Sequence, residues 1–287
     1  MEDKKMRENT DMTSLQKAWA VLFPCLLYYL AYNAAYLICI FVRSAMQERM
    51  GDSYGQWMTA HAAILTGMVS GACMLLGILP LTSMLRSELA ERNALTGRQQ
   101  AAERFELTKK VKSVFVTVLL ALSASLGLNI LLTLTGFADS SQAYREVADR
   151  QYGVAFGIGI VLYGLVSPLA EEVVFRGVIY NRLRRFYGPV IGVVASGVLF
   201  GAFHGNLVQG VYGTCMGILI AYVYERQGSF FFPVLFHAAA NLVVYSTAHF
   251  QAVQAALFTP WGCGILLVVA GGGIFLMERE RREAIGR

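Results

Sequence analysis

Long apolar runs separated by shorter polar connections dominate the chain, and most are of membrane-spanning length. Ala18 to Val42, Trp57 to Leu85 and Ser113 to Leu134 are the first three. A fourth segment begins near Tyr152 and reads as one helix to Arg185, kinked or interrupted near Pro168, a residue that helix interiors tolerate poorly. Phe186-Tyr187-Gly188-Pro189 reads as a turn. Val190 to Phe203, Leu207 to Tyr224, Phe232 to Ala248 and Trp261 to Met277 complete the set. A hydrocarbon core about 30 Å thick demands roughly 20 apolar residues per helix. The pattern predicts an all-α polytopic membrane protein of about eight transmembrane helices, with no internal repeat.

The polar stretches fill the intervals. Met1 to Lys17 reads as a frayed end, and Arg43 to Gln56 and Asp139 to Gln151 as polar loops. Arg86 to Lys112 is a long charged connection whose Ala, Glu, Leu and Arg content predicts a helix outside the bilayer core. Attraction to anionic lipid headgroups is its simplest reading. The first apolar run is too long for the h-region of a cleavable signal peptide.

Composition agrees with this picture. The 287 residues are 56% hydrophobic and 15% charged, against about 25% charged in an average soluble domain. The net charge of +5 therefore reports topology rather than nucleic-acid binding. With the N-terminus cytoplasmic, 20 of the 24 Lys and Arg fall in the inside segments, which predicts an N-in, C-in arrangement. Trp19, Trp57 and Trp261 all stand at span starts, as an interfacial aromatic belt requires. The five cysteines form no close pair, so neither a zinc site nor a disulfide framework follows from them.

Against this apolar background, three polar clusters stand out. Ionisable groups inside a membrane are costly and mark a partner or a cavity. In the first cluster, Glu172 and Arg176 are four apart and can pair on one helix face, while Glu171, rotated by about 100°, lacks a local partner. In the second, His204 follows Phe200 by four residues. In the third, His237 and Asn241 share a helix face separated by three alanines. From Gly188, Glu171 lies 17 residues back and His204 16 forward, so an antiparallel pair places them at similar depth. His237 lies closer to its cytoplasmic end, and convergence requires tilt or an interrupted helix. A carboxylate with a histidine can deprotonate a water, and a second histidine with an amide can hold an oxyanion. Two His and a Glu are equally a zinc set with one open position.

Glu171-Glu172-Val-Val-Phe-Arg176, Phe200-x-x-x-His204 and His237-x-x-x-Asn241 together resemble the three ordered motifs of the CPBP (Abi) intramembrane protease family, which includes the type II CAAX prenyl endopeptidases. The resemblance covers roughly Tyr152 to Tyr245. It divides the chain into an N-terminal membrane region (1–150), a catalytic helix bundle (151–250), and a last span with cytoplasmic tail (251–287). It implies an intramembrane endopeptidase, of metalloprotease or glutamate type, with a site open toward the cytoplasm. Glu171 and His204 would activate water, His237 and Asn241 would complete the site and hold the oxyanion, and Glu172, Arg176 and Phe200 would be structural. If a metal such as zinc is used, Glu171, His204 and His237 are its expected ligands.

The expected partners are a peptide or protein substrate (C-a-a-X-like proteins, or secreted or bacteriocin-type peptides) and membrane lipids, with no nucleic acid. The expected location is a bacterial plasma membrane. The alternatives are a non-catalytic bacteriocin-immunity or scaffold protein, or a proton-coupled transporter, where an inverted repeat would be expected. The sequence specifies no oligomeric state.

Overall fold

In lipid every backbone polar group must be satisfied within its own helix or a closed barrel, and this chain takes the helical solution. The computed structural model describes residues 12–100 and 107–285. The expected frayed residues 1–11 and the middle of the charged connection, 101–106, lie outside the described residues. The helices are α1 (Ser14–Met50), α2 (Asp52–Ala60), α3 (Ala62–Ile78), α4 (Thr82–Gln100), α5 (Leu107–Leu134), α6 (Gln142–Tyr152), α7 (Phe156–Phe203), α8 (Leu207–Gln227), α9 (Phe231–His249), α10 (Gln251–Leu257) and α11 (Pro260–Ile285). Thr13 caps α1 reciprocally with Gln16, accepting from its backbone amide while the Gln16 side chain accepts from Thr13.

Two expected loops are helical. The stretch 43–56 completes α1 and opens α2, interrupted at Gly51 (φ 65°, ψ −150°). The stretch 139–151 contains α6, whose first turn is capped by Ser141. Polar composition concealed helices that lie beyond the apolar spans.

Seven helical runs among the described residues are long and apolar enough to cross a membrane, where eight were expected. The difference lies at Gly188. The expected fourth and fifth spans form one helical run, α7, broken at Gly188 (φ 85°, ψ 170°), a backbone conformation that favours glycine. Beyond it the chain doubles back, bringing Phe200 and Phe203 edge-on to Phe175 at 5.1 and 5.5 Å. The returning arm packs on α8 through glycines: a Cβ on Gly201 would come within 2.3 Å of the Gly210 carbonyl. Such close approach of backbones is how membrane helices pack without a hydrophobic driving force.

The bundle has an inner and an outer layer. α5 buries 56% of its most apolar window and α8 44%, whereas α1 buries only 11%, leaving Leu22, Leu30, Leu37 and Phe41 of α1 exposed on a face suited to lipid. One apolar core joins Val21 and Tyr28 of α1 and Leu81 to Val174, Phe175 and Phe200 of α7. A second joins α5, α8, α9 and α11 through Leu120, Ile220, Phe236 and Met277.

The segments expected on one side of the membrane meet at one end of the bundle. Arg182 donates to Glu88 (2.8 Å) and to the Ala20 carbonyl, and Arg185 pairs with Glu88 and Glu91. Arg184 makes a two-pronged pair with Glu225, and Arg92 reaches Glu225 and the Gly228 carbonyl. Arg226 meets Glu278, and Lys112 meets Glu280. The start of the charged connection, Glu88 to Arg92, is thus packed against α7 and α8. These charges find partners within the protein, a contact that the reading of lipid-headgroup attraction did not anticipate.

Candidate active site

The helix that carries the first motif is irregular where the chemistry is. Pro168 has no N–H to close a regular turn, and α7 adapts with π-helical stretches at Leu162–Val166 and Val173–Tyr180 on either side of Ser167–Glu172. The expected interruption near Pro168 therefore takes the form of widened turns rather than a break, a distortion frequent at functional sites.

Glu172 and Arg176 pair as expected. Both are fully buried, with Arg176 Nη1 2.8 Å from Glu172 Oε1. Arg176 also donates to the Gly217 carbonyl of α8 at 2.8 Å, and its guanidinium lies over the Phe200 ring at 4.8 Å. Glu172 Oε1 serves a second partner that sequence reasoning missed: His237 Nδ1 of α9, at 2.7 Å. Phe200 fills the space between these groups, edge-on to His204 (5.0 Å) and to His237 (5.5 Å).

Counting from Gly188 had placed His237 at the wrong depth, and the reason is visible. The α7 arm runs on beyond the ends of its neighbours, and Arg92 shows where the levels match by reaching both Asn181 Oδ1 and the Gly228 carbonyl. Glu172 lies nine residues before Asn181 and His237 nine after Gly228. The two meet directly, on a helix whose turns are widened on either side of Ser167–Glu172.

Glu171 is the less buried of the two glutamates, with 15% of its side chain exposed. Ser167 Oγ, one turn earlier, donates to its Oε1 at 2.5 Å. Its Oε2 lies 3.8 Å from His237 Nε2, too far for a direct hydrogen bond and a spacing one water can bridge. A backbone carbonyl can only accept, so His204, whose Nδ1 lies 2.9 Å from the Phe200 oxygen, donates through Nδ1 and keeps Nε2 as an acceptor. His237 is fixed in the same sense by Glu172. Ring nitrogens pinned from behind in this way have a defined tautomer and orientation.

Glu171, His204, His237 and Asn241 all line a cavity of about 240 Å³. Its walls include Tyr163, Tyr212 and Gln209, and its outer end is formed by Asn129, Thr133 and Ala138 with Tyr144, Gln151 and Tyr152 of α6. Burial raises the pKa of both Tyr144 and Tyr152, helped by Asp139 beside Tyr144 and by Tyr144, Tyr163 and Tyr245 beside Tyr152. These phenols are neutral donors at neutral pH. None of the tyrosines or glutamines was singled out from sequence. Ser167 was legible in principle, since it precedes Glu171 by one helical turn.

Among the described residues no group of three His, Cys, Asp or Glu side chains is placed to hold an ion. The outer end of the cavity also lies opposite the arginine-rich end of the bundle.

Residues 153–243 match the family model described as Rce1-like, type II CAAX prenyl endopeptidase. The chain is also similar to the protein named "Putative membrane peptidase YdiL" of Bacillus subtilis (strain 168), with 27% identity over 139 residues, 42% of this chain and 57% of that one. The chain thus matches less than two thirds of that relative's length. No solved structure matches the chain. Glu171, His204, His237 and Asn241, which line the cavity, all fall inside the segment that is similar to the Rce1-like family model.

Proposed function

We propose that the protein is an intramembrane endopeptidase in which Glu171 activates the water that cleaves a peptide bond. One observation carries this reading: Glu171 Oε2 and His237 Nε2 face each other at 3.8 Å in the cavity, each held from behind, by Ser167 and by Glu172 respectively. A water seated there gives one proton to Glu171, and His204 Nε2 accepts a hydrogen bond from the other and orients the attack. The hydroxide oxygen adds to the scissile carbonyl carbon, and the oxygen that gains negative charge is held by the Asn241 amide. As the C–N bond breaks, the leaving amine takes the proton from Glu171, with His237 Nε2 as an acceptor placed to relay it.

Glu172 and Arg176 position rather than react. Burying either charge alone would cost several kcal/mol, and pairing them leaves a carboxylate oxygen fixed for His237. No step requires a metal.

Purified protein in liposomes, offered an unbiased peptide library, tests the reading. Cleavage by wild type that is lost in Glu171→Gln and His204→Ala, with thermal unfolding unchanged, supports it. Equal cleavage by wild type and Glu171→Gln sinks it.

A further inference from the structure

We infer that the cavity opens on the non-cytoplasmic face of the membrane and that the substrates are uncharged peptide segments presented there. The inference rests on the endopeptidase reading for its substrate, but not for its sidedness.

The sidedness follows from two independent features. Basic residues gather where α1 starts, in the connection after α3, at the α7 turn and at the ends of α8 and α11, and Lys17, Ala20, Glu88, Arg182, Glu225 and Glu278 are linked there by direct contacts or shared partners. The opposite segments hold only Arg43, Arg49, Arg145 and Arg150 of the chain's 24 Lys and Arg. Basic residues near span ends fix the cytoplasmic side, so the arginine-rich end is cytoplasmic. Among the described residues, the cavity takes no lining residue from that end. It descends instead from the α5–α6 connection and the start of α8, represented by Ala138, Tyr144 and Gln209, to Glu171 and His237.

The lining sets the substrate class. Glu171 is the only Asp, Glu, Lys or Arg among the residues lining it. The rest of the wall is tyrosine, amide and aliphatic, which suits a neutral, partly apolar peptide stretch and offers no cation to hold an acidic one. An outward-facing site also excludes proteins prenylated in the cytosol, leaving peptides that have already crossed, or are crossing, the membrane.

Two cysteine variants test the sidedness in a background with Cys25, Cys39, Cys73, Cys215 and Cys263 replaced. Gln142→Cys places a thiol on exposed α6 at the cavity end, and Tyr187→Cys places one on the exposed α7 turn. A membrane-impermeant maleimide applied to intact cells is expected to label Gln142→Cys at least 10-fold more than Tyr187→Cys, with both labelled after permeabilisation. The reverse order, or equal labelling in intact cells, overturns the inference. Should the cysteine-free background fail to fold, an epitope inserted after Gln142 in the native chain reports the same side by antibody access.

Sealed right-side-out vesicles test the substrate. They are expected to cleave an added neutral peptide library without detergent, while inside-out vesicles require detergent. Cleavage by inside-out vesicles alone overturns the outward opening. Expected labelling with no cleavage in either vesicle or in detergent overturns the endopeptidase reading and the substrate assignment, and leaves the sidedness standing.

Discussion

Glu172 Oε1 lies 2.8 Å from Arg176 Nη1 and 2.7 Å from His237 Nδ1, so one buried carboxylate oxygen ties α7 to α9 across 65 residues of chain. Removing its charge leaves Arg176 buried without a counter-ion. Glu172→Gln is therefore expected to cost about 3–5 kcal/mol of stability, seen as a lowered thermal unfolding midpoint in detergent. The double variant Glu172→Leu/Arg176→Met removes both charges and is expected to recover most of that loss. It remains inactive, because His237 has lost its partner. A double variant as unstable as the single one contradicts the assignment.

In the proposed mechanism Glu171 is the general base. Glu171→Gln keeps the shape and the Ser167 contact but removes the base. Turnover is expected to fall by at least about 100-fold, in the range general-base removal produces, with the unfolding midpoint held. A fall in both together would make Glu171 structural.

Ser167 orients that base. A hydrogen bond to a charged group contributes about 1.5–3 kcal/mol, so Ser167→Ala is expected to lower kcat by about 10- to 100-fold with KM little changed. Steady-state kinetics on any cleaved peptide checks this, and a change confined to KM would place Ser167 in substrate binding.

Gly201 is where the returning arm of α7 meets α8. A methyl there strikes the Gly210 carbonyl at 2.3 Å and the Thr214 hydroxyl at 2.2 Å, and only a shift of the helices can relieve it. Gly201→Ala should cost about 1–3 kcal/mol. Gly157→Ala, where nothing lies within 4 Å of the added carbon, is the matched control and should be close to neutral.

In the proposed mechanism Glu171 itself takes the proton of the attacking water, so cleavage is expected to persist after exhaustive chelation. Loss of activity on chelation, restored by zinc, would show that the three side chains close around an ion.

The lone polar residues carried most of what the sequence could tell. Glu171, Glu172, Arg176, His204, His237 and Asn241 stand out because charged, imidazole and amide side chains are rare among their apolar neighbours, and the structure gathers all of them around or directly behind one cavity. What stayed hidden depended on relations between distant elements. The level of His237 could not be counted from Gly188, since the α7 arm overshoots its neighbours until Arg92 fixes the register at Asn181 and Gly228. Glu88 and Glu91 read as solvated charges because their partners, Arg182 and Arg185, are 94 residues away. The cavity walls escaped notice because tyrosines and glutamines in polar-looking connections are ordinary surface residues until α6 folds over the site.

That last arrangement separates two tasks that many proteases perform with the same residues. The groups proposed to react lie within 153–243, whereas Asn129, Thr133, Ala138, Tyr144, Gln151 and Tyr152 at the cavity's outer end all precede it. Exchanging the α5–α6 connection would leave the hydrolytic floor in place beneath a new entrance. Within such an architecture, the choice of peptide can change without altering the means of cutting it.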